Sequence, residues 1–241
     1  MFFDTMLHVG TLAAVFAVLW KDIWAILRKP WQPLTAYIIL ATVPAVVFAL
    51  FFNKTIEAAF ESGKFLGFAF LFTSALLVGA ELLARRAARS MDGGGQKKAD
   101  AMNWLDALII GAFQAVAIVP GISRSGATLS GALSRKLDRD FAARFSFLLS
   151  IPAILGALLF QVISLAKSGA KAADAAGVGM TGGINAGAVI AGTLSAAVVG
   201  FFAVKLMLKI VREKSLWGFA IYTGILGTLV LVDQFGTRLV L

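Results

Sequence analysis

The sequence predicts an all-α, polytopic transmembrane helical bundle with six full crossings and one re-entrant helical hairpin. Three observations carry that prediction. The 241-residue chain is 59% hydrophobic and only 15% charged, outside the range of soluble domains. Several apolar runs approach or exceed the roughly 20 residues a helix needs to cross a bilayer. The basic residues cluster in short stretches between those runs, where they act as topology signals. The net charge of +9 is read in that way and not as a nucleic-acid surface. No linker is long enough to divide the chain, so residues 1–241 read as a single transmembrane domain. There is no cysteine, which excludes disulfides and thiolate metal sites. The single histidine, His8, excludes a histidine-rich metal site within one chain. An apolar start with no basic n-region or cleavage site argues against a signal peptide.

The elements follow in order. The first apolar run covers residues 5–20 and continues weakly to 27, ended by Lys21, Asp22, Arg28, Lys29 and Pro30. The second covers 34–52 with Pro44 inside, which a membrane helix tolerates when neighbours satisfy the freed carbonyl. A short loop is expected next, carrying Lys54, Glu57, Glu61 and Lys64. The third run, 65–84, is closed by Arg85, Arg86 and Arg89. Residues 91–100, with Gly93, Gly94 and Gly95, read as a flexible loop. A central segment, 104–133, precedes a run at 141–166 that contains Pro152. A Gly/Ala-rich loop at 167–183 leads to a crossing at 185–204, whose helix carries on through the basic stretch 205–214. The last run is 217–232.

Charge counting sets the path of the central segment. Lys and Arg number three in residues 21–29, two in 54–64 and five in 85–98. They number two in 167–171, four in 205–214 and one at Arg238. The positive-inside rule puts the richer stretches in the cytoplasm. Arg135, Lys136, Arg139 and Arg144 are also cytoplasmic by this count. Both flanks of the central segment therefore lie on one side. Each arm has about 15 residues or fewer, near 22 Å of helix, too short for a core of about 30 Å. The segment enters the membrane and returns, and both chain ends lie outside.

The tip of that hairpin, residues 120–128, reads Pro-Gly-Ile-Ser-Arg-Ser-Gly-Ala-Thr. Non-helical backbone at membrane depth must be buried in protein or face a water-filled cavity. An arginine there marks function by default. Ser123, Arg124, Ser125 and Thr128 offer hydroxyls and a guanidinium, and Gly121 and Gly126 let backbone N–H groups approach a ligand. The second arm starts near Ser123, so its positive end points into the turn. Arginine forks match phosphate oxygens. The pattern describes an oxyanion or phosphate cradle. An alternative stays open, in which Arg124 snorkels or pairs with a helix carbonyl and the serines only cap the arm. Gln114, six residues before Pro120, is as well explained as interhelical glue as by a ligand contact.

At these residues the chain resembles the undecaprenyl-pyrophosphate phosphatases of bacteria, the bacitracin-resistance membrane phosphatases. The resemblance rests on residues 111–114 (Gly-Ala-Phe-Gln), 117–128 (Ala-Ile-Val followed by the tip) and 145–152 (Phe-Ser-Phe-Leu-Leu-Ser-Ile-Pro). Residues 8–15 and 219–222 are similar to the family's early and last helices. The likeness runs over nearly the whole chain, and the tip string is highly specific.

The resemblance implies hydrolysis of the diphosphate of a C55 polyprenyl carrier to the monophosphate. That reaction recycles the carrier for peptidoglycan synthesis and confers bacitracin resistance. It implies a bacterial inner-membrane location, an active site facing the periplasm and a divalent cation, Mg or Ca. It implies an inverted repeat with two re-entrant hairpins from opposite faces, of which the central hairpin fits the second. Carried onto this sequence, Arg124 and Ser123 are the catalytic candidates, and Arg124 binds the diphosphate. Gly121, Ser125, Gly126, Thr128 and Gln114 are the substrate-binding candidates. The partners implied are the lipid diphosphate and the bilayer, with no nucleic acid and with homo-oligomerisation as an option.

One family motif has no counterpart here: two glutamates four residues apart, followed by a proline, paired serines and a histidine. Those residues serve the family as metal ligands, base and nucleophile. The chain starts where that hairpin should have ended, so the resemblance predicts a protein that continues upstream of Met1. No carboxylate substitutes well. Glu81 reads as a helix-end residue, Asp4 is single, and Glu57 and Glu61 read as a solvated face. Two further readings stand beside hydrolysis: a transporter or flippase of a phosphorylated lipid, and a catalytically silent scaffold.

Overall fold

The computed structural model describes residues 2–62, 65–89, 96–168 and 186–237. Among the described residues there are nine α-helices and no strand beyond one isolated bridge. They are α1 (Phe2–Val18), α2 (Trp20–Arg28), α3 (Pro33–Ser62), α4 (Leu66–Arg89) and α5 (Trp104–Val116). Then come α6 (Arg124–Ser134), α7 (Arg139–Ser168), α8 (Ala186–Glu213) and α9 (Trp217–Val232), with a π-helical turn at Asp233–Thr237. Five helices are long and apolar enough to cross a membrane, and α1 with α2 makes a sixth span if that bent pair is counted as one. The all-α polytopic class expected from composition is the class observed.

The chain divides into two compact units. The first comprises Met1–Pro30 and Phe147–Lys209. Here α1 and α8 approach closely through small residues. A Cβ on Gly10 would fall 2.3 Å from the Thr193 carbonyl oxygen, and one on Gly200 would fall 3.1 Å from Ala14 Cβ. Apolar solvent gives helices no hydrophobic reason to associate, so backbone proximity and van der Waals packing hold such pairs. The first apolar run is not one continuous helix. It breaks at Leu19, and α2 leaves α1 at 81°. Lys21 and Asp22 enter the sequence at that point, and charged side chains favour a turn toward the membrane surface.

The second unit comprises Trp31–Ser146 and Ile210–Leu241. In it α4 packs on both α6 and α9, α3 packs on α5, and α5 packs on α6. The same small-residue logic applies. A Cβ on Gly67 would lie 2.6 Å from Leu231 Cγ, and one on Gly111 would lie 2.4 Å from the Ala41 carbonyl oxygen. Ser74 Oγ adds a hydrogen bond of 2.7 Å to the Ala220 carbonyl between α4 and α9.

Residues 53–62, expected as a loop, are instead helical. The chain kinks at Phe52 (φ −112°, ψ 16°), and α3 then resumes to Ser62. Charges at 54–61 end the apolar span without ending the helix, since Lys, Glu and Ala are all good helix formers. Glu57 and Glu61 therefore lie on helical backbone and not in a loop. The helix through 205–213 continues as expected. Of the loops expected at 91–100 and 167–183, residues 91–95 and 169–183 lie outside the described residues, Ala99–Ala101 form a 3-10 turn, and residues 167–168 are the end of α7.

A candidate anion-binding tip on a helical hairpin

The central segment folds as two short helices joined by a turn. Helices α5 and α6 have 13 and 11 residues, about 20 and 16 Å of rise, and they pack on each other. Their open ends are tied together. Asp106, 0% exposed, accepts from Lys97 Nζ at 3.0 Å and from Arg135 Nε at 2.7 Å. Lys97 precedes the hairpin and Arg135 follows it, so one carboxylate holds both flanks. The backbone repeats the tie: Lys97 N–H donates to the Lys136 carbonyl at 2.7 Å, and Asp138 N–H donates to the Lys97 carbonyl at 2.8 Å. Asp106 also closes a capping box with Asn103 at the start of α5. A carboxylate taken out of water in this way is stable only with such partners.

At the closed end, α5 tightens through three-residue turns from Ala117 to Val119. A β-turn follows, with Ile122 N–H donating to the Val119 carbonyl at 3.2 Å. Pro120 takes its second position and Gly121 its third, where φ is +86°. A side chain on Gly121 would also lie 2.9 Å from both Ala69 Cβ and Leu66 Cδ1 of α4. Ser123 is the N-cap of α6. Its Oγ accepts from Gly126 N–H at 3.2 Å and lies 3.5 Å from Ser125 Oγ. Its own N–H donates to Thr73 Oγ1 on α4 at 3.1 Å. Gly126 leaves room for this cap, because a Cβ there would meet Ser123 Oγ at 3.1 Å.

The electrostatics of the tip are set by what remains unpaired. A helix leaves its first N–H groups without intrahelical partners. Gly126 N–H is taken by Ser123 Oγ, and Ala127 N–H by the Ser123 carbonyl at 2.8 Å. The N–H groups of Arg124 and Ser125 are left at the positive end of α6. The Arg124 guanidinium is half-buried and has no carboxylate or carbonyl partner among the described residues. The pairing with a helix carbonyl that sequence reasoning kept open is not formed. The capping role of Ser123 is formed, and it coexists with a hydroxyl at the tip.

The structure thus brings Gly121, Ser123, Arg124, Ser125 and Gly126 together at one turn. Thr128 sits one turn deeper and is buried. Its hydroxyl donates to the Arg124 carbonyl at 2.9 Å, with the Ser125 carbonyl at 3.3 Å. That leaves Ser146 Oγ, 2.5 Å away, to donate to Thr128. Thr128 therefore braces the first turn of α6 and has little capacity left for a ligand. Gln114 is 2% exposed, and neither its amide nitrogen nor its amide oxygen has a partner among the described residues. It forms no glue between helices there.

Sequence reasoning missed Thr73, Ser146 and Asp106. A single hydroxyl inside an apolar helix carries no signal of its own. Asp106, three residues after Asn103, did offer the pattern of a capping box. Glu81 is more than a helix-end residue. It accepts from Arg85 Nε at 2.7 Å, Arg139 Nη2 at 2.7 Å and Leu216 N–H at 3.0 Å, joining α4, α7 and the start of α9. Those bonds occupy it structurally. The side chains of Asp4, Glu57 and Glu61 lie outside the described residues.

No group of three or more His, Cys, Asp or Glu side chains that could hold a metal occurs among the described residues. The tip offers hydroxyls, N–H groups and a guanidinium. That donor set fits an oxyanion and does not fit a bare divalent cation.

Comparison with known proteins places the chain in a family. The family model described as bacitracin resistance protein BacA matches residues 1–229. Undecaprenyl-diphosphatase 3 of Bacillus cereus is 41% identical over 98% of this chain and 83% of its own length. The undecaprenyl-diphosphatase of Carboxydothermus hydrogenoformans is 41% identical over 96% of this chain and 82% of its own. That of Methanosphaera stadtmanae is 32% identical over 95% and 83%.

Proposed function

The chain belongs to the bacitracin resistance protein BacA family, and from that premise we propose that its tip performs the diphosphate chemistry named in its relatives. It is a membrane phosphatase that hydrolyses undecaprenyl diphosphate to undecaprenyl phosphate and phosphate. The reaction recycles the lipid carrier for peptidoglycan synthesis and confers bacitracin resistance. The observation that carries the assignment to the tip is Arg124: a half-buried guanidinium with no partner among the described residues, beside the open N–H groups of a helix start.

The chemistry is the cleavage of one P–O–P bond. Water supplies the incoming oxygen and gives up a proton that ends on the released phosphates or in solvent, and the polyprenyl phosphate leaves with the electron pair of the bridging bond. Charge accumulates on the equatorial oxygens of the transferred group and on the leaving oxygen. Arg124 takes two of those oxygens in a fork, and the N–H groups of Arg124 and Ser125 take a third. Ser123 Oγ already accepts from Gly126 N–H, so its own proton is available to a phosphate oxygen. Ser125 Oγ stands beside it. Gly121 lets the turn sit against α4, Gly126 makes room for the Ser123 cap, Thr128 braces the turn, and Gln114 contributes to the same hairpin an amide with no partner among the described residues. These donors are fixed before substrate arrives, which is the condition for strong electrostatic stabilisation.

A divalent cation would find no carboxylate at the tip among the described residues; arriving with the substrate, it would offset part of the diphosphate's negative charge. The protein is a multi-pass membrane protein. By the charge count, the hairpin inserts from the cytoplasmic side and presents its tip toward the periplasm.

Phosphate release from a C55 polyprenyl diphosphate, measured in detergent with and without EDTA, tests the reading. Release that stops on chelation is the expected result. Tight binding of the lipid diphosphate with no release under any cation would instead favour a carrier of phosphorylated lipid.

A further inference from the structure

Helix α2 carries a surface built for a specific neighbour. It leaves α1 at 81°, so it turns nearly square to the helix before it. At 100° per residue, Leu27, Trp20 and Trp24 fall within roughly 60° of one another around its circumference. They are 60%, 53% and 43% exposed, while Ile23, at the edge of that arc, is buried. The two indoles stack at 5.6 Å between centroids. The Arg28 guanidinium lies 5.2 Å from the Trp24 ring centroid. Lys21 and Arg28 occupy the next sector, within about 20° of each other. Residues 20–29 hold three cations and one acid, Asp22.

An exposed indole pair beside cations is poorly placed in water and in hydrocarbon alike. It is well placed where the two meet, because indoles partition to the headgroup level. A short helix with a marked apolar face and basic rim lies in that plane. A guanidinium stacked on an indole keeps its N–H edge free for phosphate oxygens. We propose that α2 is an interfacial helix that seats Trp20, Trp24 and Leu27 at the acyl boundary of the cytoplasmic leaflet and grips anionic phospholipid headgroups with Lys21 and Arg28. The charge count places residues 21–29 on that side.

The absence of cysteine makes the test local. Leu27→Cys carries a single bimane label, and the full chain is reconstituted in vesicles containing acyl-brominated phosphatidylglycerol or phosphatidylcholine at equal fraction. Leu229→Cys, on an exposed apolar stretch of α9, is the control that should report a folded chain quenched by both lipids alike. The label at position 27 should be quenched by both lipids and several-fold more by phosphatidylglycerol. Lys21→Gln and Arg28→Gln should each lower that preference in part, and Lys21→Gln/Arg28→Gln should lose it completely. Arg28→Lys should keep most of it, and phosphate release should stay unchanged in all of these variants. A label at 27 quenched by neither lipid would show that the face does not meet the bilayer. A phosphatidylglycerol preference that survives in the double variant would overturn the headgroup assignment.

Discussion

Thr73→Val removes one oxygen and almost no volume, at a residue that touches the tip from outside the hairpin. Thr73 Oγ1 accepts the Ser123 N–H at 3.1 Å and is the polar contact by which α4 fixes the N-cap of α6. Valine fills the same space, so Gly126 keeps its neighbour: the Thr73 methyl lies 3.5 Å from where a Cβ on Gly126 would be. What is lost is the partner of a backbone donor in a half-buried turn. An unsatisfied buried donor costs about 1–3 kcal/mol, and partial access to water puts this one near 1–2 kcal/mol. If the tip relaxes to find another acceptor, Arg124 and Ser125 leave the geometry they present to phosphate. At 1.4 kcal/mol per decade, the loss in kcat/KM is about fivefold to thirtyfold. Phosphate release and thermal unfolding, measured on the same detergent sample, separate the effect on rate from the effect on stability. Thr73→Ser keeps the oxygen and should recover most of the activity. Wild-type activity in Thr73→Val would refute the argument. Equal losses in the serine and valine variants would show that the methyl group matters and the hydrogen bond does not.

Other perturbations read other parts of the hairpin. Asp106→Asn opens the clasp at its base. Breaking a buried pair costs about 3–5 kcal/mol. Lys97 and Arg135 retain access to water, which lowers the expectation to about 2–3 kcal/mol. A fall of roughly 5–10 °C in the thermal midpoint should follow. Gly121→Ala combines a left-handed φ, worth about 1–2 kcal/mol, with a 2.9 Å contact on Ala69. Ala69→Gly in the same chain should restore part of the lost stability and not all of it. Gln114→Leu removes a buried amide with no partner, so the unliganded protein should become slightly more stable by thermal unfolding. Its kcat/KM should nonetheless fall about tenfold if that amide meets the diphosphate, in line with the ~1–3 kcal/mol of a lost hydrogen bond.

The hairpin was legible in the sequence because two independent quantities agreed on it. Basic flanks on one side and arms too short to cross leave no other path, and Pro120 with Gly121 marks the turn. Five of the seven candidate site residues, Gly121, Ser123, Arg124, Ser125 and Gly126, stand at one turn because they are neighbours in the chain. What lies on other elements was not legible. Thr73 and Ser146 come from α4 and α7, and a hydroxyl in an apolar run looks the same whether it braces a site or back-bonds its own helix. The break at Leu19 is hidden because Lys21 and Asp22, which follow it, read as the weak end of one apolar run and not as the start of a second helix. The extension of α3 past Phe52 was hidden for a related reason: charges signal the end of a membrane span, and they were read as the end of a helix. Glu81 was placed correctly near a helix end, but its bonds to Arg139 and Leu216 span more than 50 residues of sequence, which no local pattern reports.

The central claim is that Arg124 binds and stabilises the diphosphate at the tip. The most direct measurement compares phosphate release from undecaprenyl diphosphate by the wild-type chain, Arg124→Ala and Arg124→Lys, with divalent cation present. The account predicts a loss in kcat of at least about a hundredfold in the alanine variant, as for removal of a pre-organised donor. It predicts only partial recovery in the lysine variant, which keeps the charge and loses the fork. An Arg124→Ala chain that folds normally and releases phosphate at a rate close to wild type would contradict it.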